Sequence, residues 1–136
     1  MNDEKLFKLL EKSQTLKVLY VEDDDEVREQ TYKMFSDFFG DIHVAINGLE
    51  ALEIFKSEEF DLVITDISMP KMDGIKMSKH IREINTAVPI IVMSAHNEDH
   101  IFEDVKKYNI TKYLFKPLNL EDFIETLDCI AFRVEG

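Results

Sequence analysis

Five short runs of β-type residues, Leu16 to Val21, Asp41 to Ile46, Phe60 to Thr65, Val88 to Met93 and Lys112 to Phe115, alternate with segments whose apolar residues recur at helical spacing. Three of the runs are apolar almost throughout, as strands covered on both faces must be. Between them, Val27, Thr31, Met34, Phe35 and Phe38 share one helical face. So do Leu49, Leu52 and Phe55; Met77, Ile81 and Ile84; Ile101, Val105 and Tyr108; and Leu120, Phe123, Leu127, Ile130 and Val134. Strict alternation of strand and helix imposes an α/β architecture: a doubly wound five-stranded parallel sheet with right-handed crossovers and helices on both faces. Asp3 to Ser13 predicts an extra short helix ahead of the first strand, with Leu6, Phe7 and Leu10 on one side. No internal repeat, low-complexity segment or linker divides the rest. Residues 1–15 are therefore expected to form a helical extension and residues 16–136 one domain, and 136 residues suffice to bury a core.

This architecture decides where chemistry can sit. In an open doubly wound sheet, ligands bind at the carboxyl ends of the strands, near the point where strand order reverses. The first strand ends in Glu22-Asp23-Asp24-Asp25, the third in Asp66, the fourth in Ser94-Ala95 and the fifth in Lys116-Pro117. Taken singly, each has an ordinary structural role. An acidic run before a helix favours the helix dipole, an Asp caps a turn, a Ser bonds backbone, and a Lys beside a Pro sits in a loop. What points to chemistry is that carboxylates, a hydroxyl and an ammonium all stand at carboxyl ends.

Phosphoryl transfer to a carboxylate suits this set. Clustered carboxylates repel one another and call for a divalent cation, and an all-oxygen ligand set suits Mg2+. The cation would offset both their charge and that of an incoming phosphoryl group. Lys116 can pair with a phosphoryl oxygen as a point charge, and Ser94 can donate to another. A carboxylate nucleophile is already ionised at neutral pH and needs no general base.

Charge narrows the partners. With 28 acidic and 16 basic residues, the formal net charge of −12 argues against nucleic acid or an anionic membrane as a direct partner. The single cysteine, Cys129, cannot close an internal disulfide. No secretory signal or spanning run is present, so a cytoplasmic location is expected.

These residues resemble those of a response-regulator receiver domain of two-component signalling. The pattern D-x-x-M-P-x-M-D-G is matched at Asp66, Met69, Pro70, Met72, Asp73 and Gly74. V-E-D-D at Val21 to Asp24, M-S-A at Met93 to Ala95 and K-P at Lys116-Pro117 follow in the family's order, and the resemblance spans about Leu16 to Val134. It implies a flavodoxin-like fold with strand order 2-1-3-4-5. It makes Asp66 the phosphoacceptor, supplied by a phosphohistidine on a sensor histidine kinase or phosphotransfer protein. Asp23 would bind Mg2+ directly, Glu22 through water, and the Ser68 backbone carbonyl would be a further ligand. A shift of one residue would bring Asp24 into that role. Ser94 becomes the switch hydroxyl, Lys116 its ion partner and Tyr113 the aromatic switch, with a cis Lys116-Pro117 bond. Ser68 and His96 fall where side chains adjust the lifetime of the phosphorylated state.

The resemblance places the output surface between about Glu98 and Arg133, with an unidentified output partner or domain and, among the expectations, a phosphorylation-dependent dimer. It implies a phosphoacceptor and not a turnover enzyme. No basic helix-turn-helix or second catalytic domain follows the last helical pattern, so either a stand-alone receiver or a piece of a longer protein is expected. One alternative remains at this level: Asp23-Asp24-Asp25-Glu26-Val27 also fits the D-x-D-x-[TV] pattern of haloacid-dehalogenase-like phosphatases, with Asp23 as nucleophile and Asp25 as acid. It leaves M-P-x-M-D-G unexplained.

Overall fold

The structure is a computed structural model that describes residues 1–95 and 99–133, with backbone alone for residues 99–102 and 131–133. The elements run α1 (Asp3–Gln14), β1 (Lys17–Val21), α2 (Asp25–Phe35), β2 (Asp41–Ala45), α3 (Gly48–Ser57), β3 (Leu62–Asp66), α4 (Gly74–Ile84), β4 (Ile90–Ser94), α5 (Asp99–Lys107), β5 (Lys112–Phe115) and α6 (Leu120–Arg133). The five strands form one sheet in the order β2-β1-β3-β4-β5, parallel throughout. Strand order therefore reverses between β1 and β3, and the register sets Val21 beside Thr65, Asp66 beside Met93 and Ser94 beside Phe115. All the carboxyl ends reach one rim.

Period-two alternation divides the apolar residues of the central strands between the two faces. Val18 and Tyr20 of β1, Leu62 and Ile64 of β3, and Ile91 and Met93 of β4 join Phe35, Phe38, Phe39, Phe123 and Leu127 on one side. Leu19 and Val21, Val63, and Ile90 and Val92 meet Leu52, Phe55, Met77 and Ile81 on the other. The first cluster is rich in rings: Phe35 stands edge-on to Tyr20 and stacks on Phe123, both at 5.0 Å.

Helix starts follow local chemistry. Asn2, Asp24, Asn47 and Asp73 each accept a hydrogen bond from the backbone N–H three residues on, at the beginnings of α1, α2, α3 and α4. This satisfies donors that the first helical turn leaves without a carbonyl.

The inward faces differ in detail from the sequence reading. On α1, Leu9 is fully buried and Phe7 is 64% exposed. Leu9 and Ser13 are buried four residues apart and Leu10 packs against the same core, as expected, whereas Phe7 lies about 200° around the helix from Leu9. The helix docks against α6, where the Lys5 ammonium approaches the Asp128 carboxylate at 3.4 Å. Leu49, Ile84 and Leu120 are also exposed; each lies in the first or last turn of its helix, beyond the neighbour that would cover it. Val134 lies outside the described residues.

Candidate functional site

Asp66 is the last residue of β3, Ser94 the last of β4, and Glu22 and Lys116 follow directly on β1 and β5. The parallel register brings their side chains together. The Lys116 ammonium lies 3.2 Å from Asp66 Oδ2 and 3.2 Å from Glu22 Oε2. Oxygen atoms of Glu22, Asp23 and Asp66 lie within 4.8 Å of one another. Glu22 and Asp66 are buried, while Asp23 opens to solvent.

Asp24 and Asp25 do not join this group. The Asp24 carboxylate accepts from the Val27 N–H at 3.0 Å and caps α2. Asp25 pairs with Arg28 at 2.6 Å, its own side chain 91% exposed. Local geometry thus separates the acidic run into a converging pair, a cap and a surface residue.

The backbone around Asp66 is tied down on several sides. The Ile67 N–H donates to Asp66 Oδ1 at 2.9 Å, and the Thr65 hydroxyl donates to the Asp66 carbonyl at 2.8 Å. Met69 to Asp73 then loops out, with Lys71 at φ 68, and the chain returns so that the Gly74 N–H donates to the Ile67 carbonyl at 2.8 Å. A Cβ on Gly74 would collide with the Asp66 carbonyl oxygen, so this return requires glycine. Gly74, the last residue of the D-x-x-M-P-x-M-D-G pattern, is the point where α4 abuts the backbone of Asp66.

On the far side, the Lys116 N–H donates to the Ser94 carbonyl at 2.8 Å, fixing the ammonium's stem beside a buried Ser94. The Lys116-Pro117 bond is cis, as expected. Tyr113 is half-buried, with its ring edge-on to Phe115 at 5.0 Å. Ser68 is exposed two residues beyond Asp66, and His96 and Glu98 lie outside the described residues.

Electrostatics mark the site as charge-stressed. Burial, followed by the charge of Asp66, pushes the Glu22 carboxyl up to about 7, even though Lys116 pulls it the other way. Burial alone would lower the Lys116 ammonium, but Asp66 and Glu22 outweigh it and hold the group above the ordinary lysine value. One ammonium against three carboxylates leaves excess negative charge. The spacing and all-oxygen chemistry of Glu22, Asp23 and Asp66 fit a small hard cation.

Arg28 was not singled out from the sequence. It donates to the Glu22 backbone carbonyl at 3.0 Å, a contact made across the turn that leads from β1 into α2.

Residues 18–128 match the response regulator receiver domain family, and the chain belongs to it. It is 35% identical over 106 residues to the regulatory protein AtoC of Escherichia coli, covering 78% of this chain and 23% of that protein. It is also 35% identical over 114 residues to the probable C4-dicarboxylate response regulator DctR of Bacillus subtilis, covering 82% and 50%. The chain thus spans a quarter to a half of these relatives. Among solved structures, the N-terminal domain of an uncharacterized protein from Wolinella succinogenes superposes with a TM-score of 0.81 at 31% identity, covering 89% of this chain and 98% of that one. The chemotaxis protein CheY4 of Vibrio cholerae gives 0.78 at 28% identity, covering 85% and 98%. The flavodoxin-like receiver fold and its strand order are as expected, and nothing supports the phosphatase alternative with Asp23 as nucleophile.

Proposed function

We propose that Asp66 is the phosphoacceptor of this receiver domain and takes a phosphoryl group from a phosphohistidine on a sensor histidine kinase or phosphotransfer protein. The observation that carries this reading is the bridging of Asp66 and Glu22 by Lys116 at 3.2 Å on the rim where the strands end. An oxygen of Asp66 attacks phosphorus, the P–N bond to imidazole breaks, and the phosphoryl group becomes an acyl phosphate on Asp66. Lys116 holds the carboxylate in place and meets an oxygen of the transferring group. Ser94, at the end of the neighbouring strand, is within the same rim to donate to another.

Glu22, Asp23, Asp66 and the Ser68 carbonyl would hold Mg2+, with Glu22 acting through water. When bound, the ion supplies positive charge that offsets the phosphoryl oxygens and the carboxylates. One structure of the family bears on this setting: the CheX–CheY complex of Borrelia burgdorferi, described as containing BeF3 and Mg, superposes with a TM-score of 0.77 at 29% identity, covering 85% of this chain and 88% of that one.

Phosphorylation biases Ser94 and Tyr113 between two arrangements, and the surface of α5, β5 and α6 carries the outcome to an output partner, a linked domain or a second copy. Residues 16–136 act as the receiver and residues 1–15 as its helical extension. The domain self-phosphorylates and loses the group by hydrolysis and has no separate turnover substrate. It works in the cytoplasm; among the described residues no helix is long and apolar enough to cross a membrane.

Intact mass after incubation with acetyl phosphate and Mg2+ tests the assignment. The wild type should gain one phosphoryl group and Asp66→Asn none while remaining folded. Uptake by Asp66→Asn would remove Asp66 from this role.

A further inference from the structure

The acidic pair sits at the mouth of β1 on a short connection whose backbone is held from both sides. The Glu22 N–H donates to the Ala45 carbonyl at the end of β2, at 3.1 Å. The Glu22 carbonyl accepts from Arg28 Nη1 at 3.0 Å. That carbonyl belongs to the peptide plane joining Glu22 to Asp23, and peptide planarity means that its orientation fixes the direction from which Asp23 projects. Arg28 is itself seated: its backbone N–H donates to the Asp24 carbonyl at 2.9 Å, and its side chain is only 20% exposed.

The second contact of the guanidinium, Nη2 to Asp25 Oδ1 at 2.6 Å, reaches a carboxylate that is 91% exposed, where ion pairs contribute little. The contact to the Glu22 carbonyl is the consequential one, because it is charge-assisted and partly shielded. Without it, repulsion among Glu22, Asp23 and Asp66 is free to turn the Glu22–Asp23 peptide and swing Asp23 outward.

We infer that Arg28 is a positioning residue that orients the Glu22–Asp23 peptide, and through it the two carboxylates, for cation binding. This rests on the reading of Glu22, Asp23 and Asp66 as the metal site. Arg28 acts in this reading through the Glu22 carbonyl and not as a ligand of the cation. Its planar fork spans the Glu22 carbonyl and Asp25 together, which a lysine's single ammonium does not reproduce.

The test is Mg2+ affinity by calorimetry for wild type, Arg28→Met, Arg28→Lys and Arg28→Gln, with thermal melts recorded alongside. Partners that orient metal ligands are typically worth 10–100-fold in affinity, so Arg28→Met should weaken Mg2+ binding about tenfold or more. Arg28→Lys and Arg28→Gln should fall between Arg28→Met and the wild type. The rate of phosphoryl uptake from acetyl phosphate should be depressed at low Mg2+ and return to within about twofold of wild type at saturating Mg2+, a split that a general loss of packing would not produce. Wild-type affinity in a folded Arg28→Met, or a rate defect that saturating Mg2+ does not repair, would overturn the inference. Were Arg28→Met to unfold, unchanged affinity in both Arg28→Lys and Arg28→Gln would do the same. Failure of the wild type to bind Mg2+ would instead overturn the site reading and this inference together.

Discussion

At the proposed Mg2+ site, the raised Glu22 carboxyl would couple cation binding to pH. A carboxylate that holds a proton must give it up to neighbour a cation, so protons and Mg2+ compete for the same site. With the Glu22 pKa at about 7, the group is almost fully ionised at pH 8 and almost fully protonated at pH 5.5. The apparent Mg2+ affinity should therefore fall about 30-fold between those conditions, or about 2 kcal/mol, at tenfold per pH unit in the acidic limit. An unperturbed glutamate, titrating near 4.3, would change affinity by less than about 10% over the same span. Calorimetric Mg2+ titrations in two buffers of different ionisation enthalpy would read both quantities, with about one proton released at pH 5.5 and about a tenth of one at pH 8. Lys116→Met, which removes the cation pulling Glu22 down, should move the profile to higher pH. Glu22→Gln should abolish it. A wild-type affinity flat from pH 8 to 5.5, or a profile that survives in Glu22→Gln, would refute the argument that burial and Asp66 set the Glu22 proton.

Asp23→Asn should weaken Mg2+ binding strongly, whereas Asp24→Ala should cost about 1 kcal/mol of stability from the lost α2 cap and leave Mg2+ affinity within about twofold; the opposite pattern in calorimetry and urea melts would move the metal pair by one residue. Gly74→Ala forces its methyl against the Asp66 carbonyl, so about 1–3 kcal/mol of destabilisation by overpacking is expected, together with slower phosphoryl uptake at Asp66 by intact mass. Leu9→Ala empties a fully buried position shared by α1 and the α2–α6 side of the core. Denaturant melts should show a loss of about 2–5 kcal/mol, and a change below about 0.5 kcal/mol would mean that α1 is a loosely held appendage.

Much of the site was legible before any coordinates because its chemistry is written in short contiguous motifs. Asp66 reads as a carboxylate at the end of an apolar run, and Lys116-Pro117 as a cation at the end of another. The α/β alternation alone sends both to one rim. The division of labour inside Glu22 to Asp25 was not legible. Four adjacent acids look alike in sequence, and only the start of α2 decides that Asp24 turns back to the Val27 N–H while Glu22 is buried against Lys116. On α1, Leu10 packs on the core as expected, but Phe7 was misplaced and Leu9 missed for a related reason: these residues lie close together, and which of them turns inward depends on how the helix docks on α6.

The sequence by itself determined the alternation of elements, the layering of the sheet and the identity of the groups that meet, since these follow from periodicity and from residues adjacent in the chain. Only the tertiary structure decided the close approaches, whether across the chain or across a turn: Lys116 spanning Glu22 and Asp66, Gly74 abutting the Asp66 carbonyl, Arg28 grasping the Glu22 carbonyl, and the burial that lifts the Glu22 carboxyl to about 7. The physical reason is that side-chain type is a local property, whereas desolvation and ångström-scale approach belong to the packed chain as a whole.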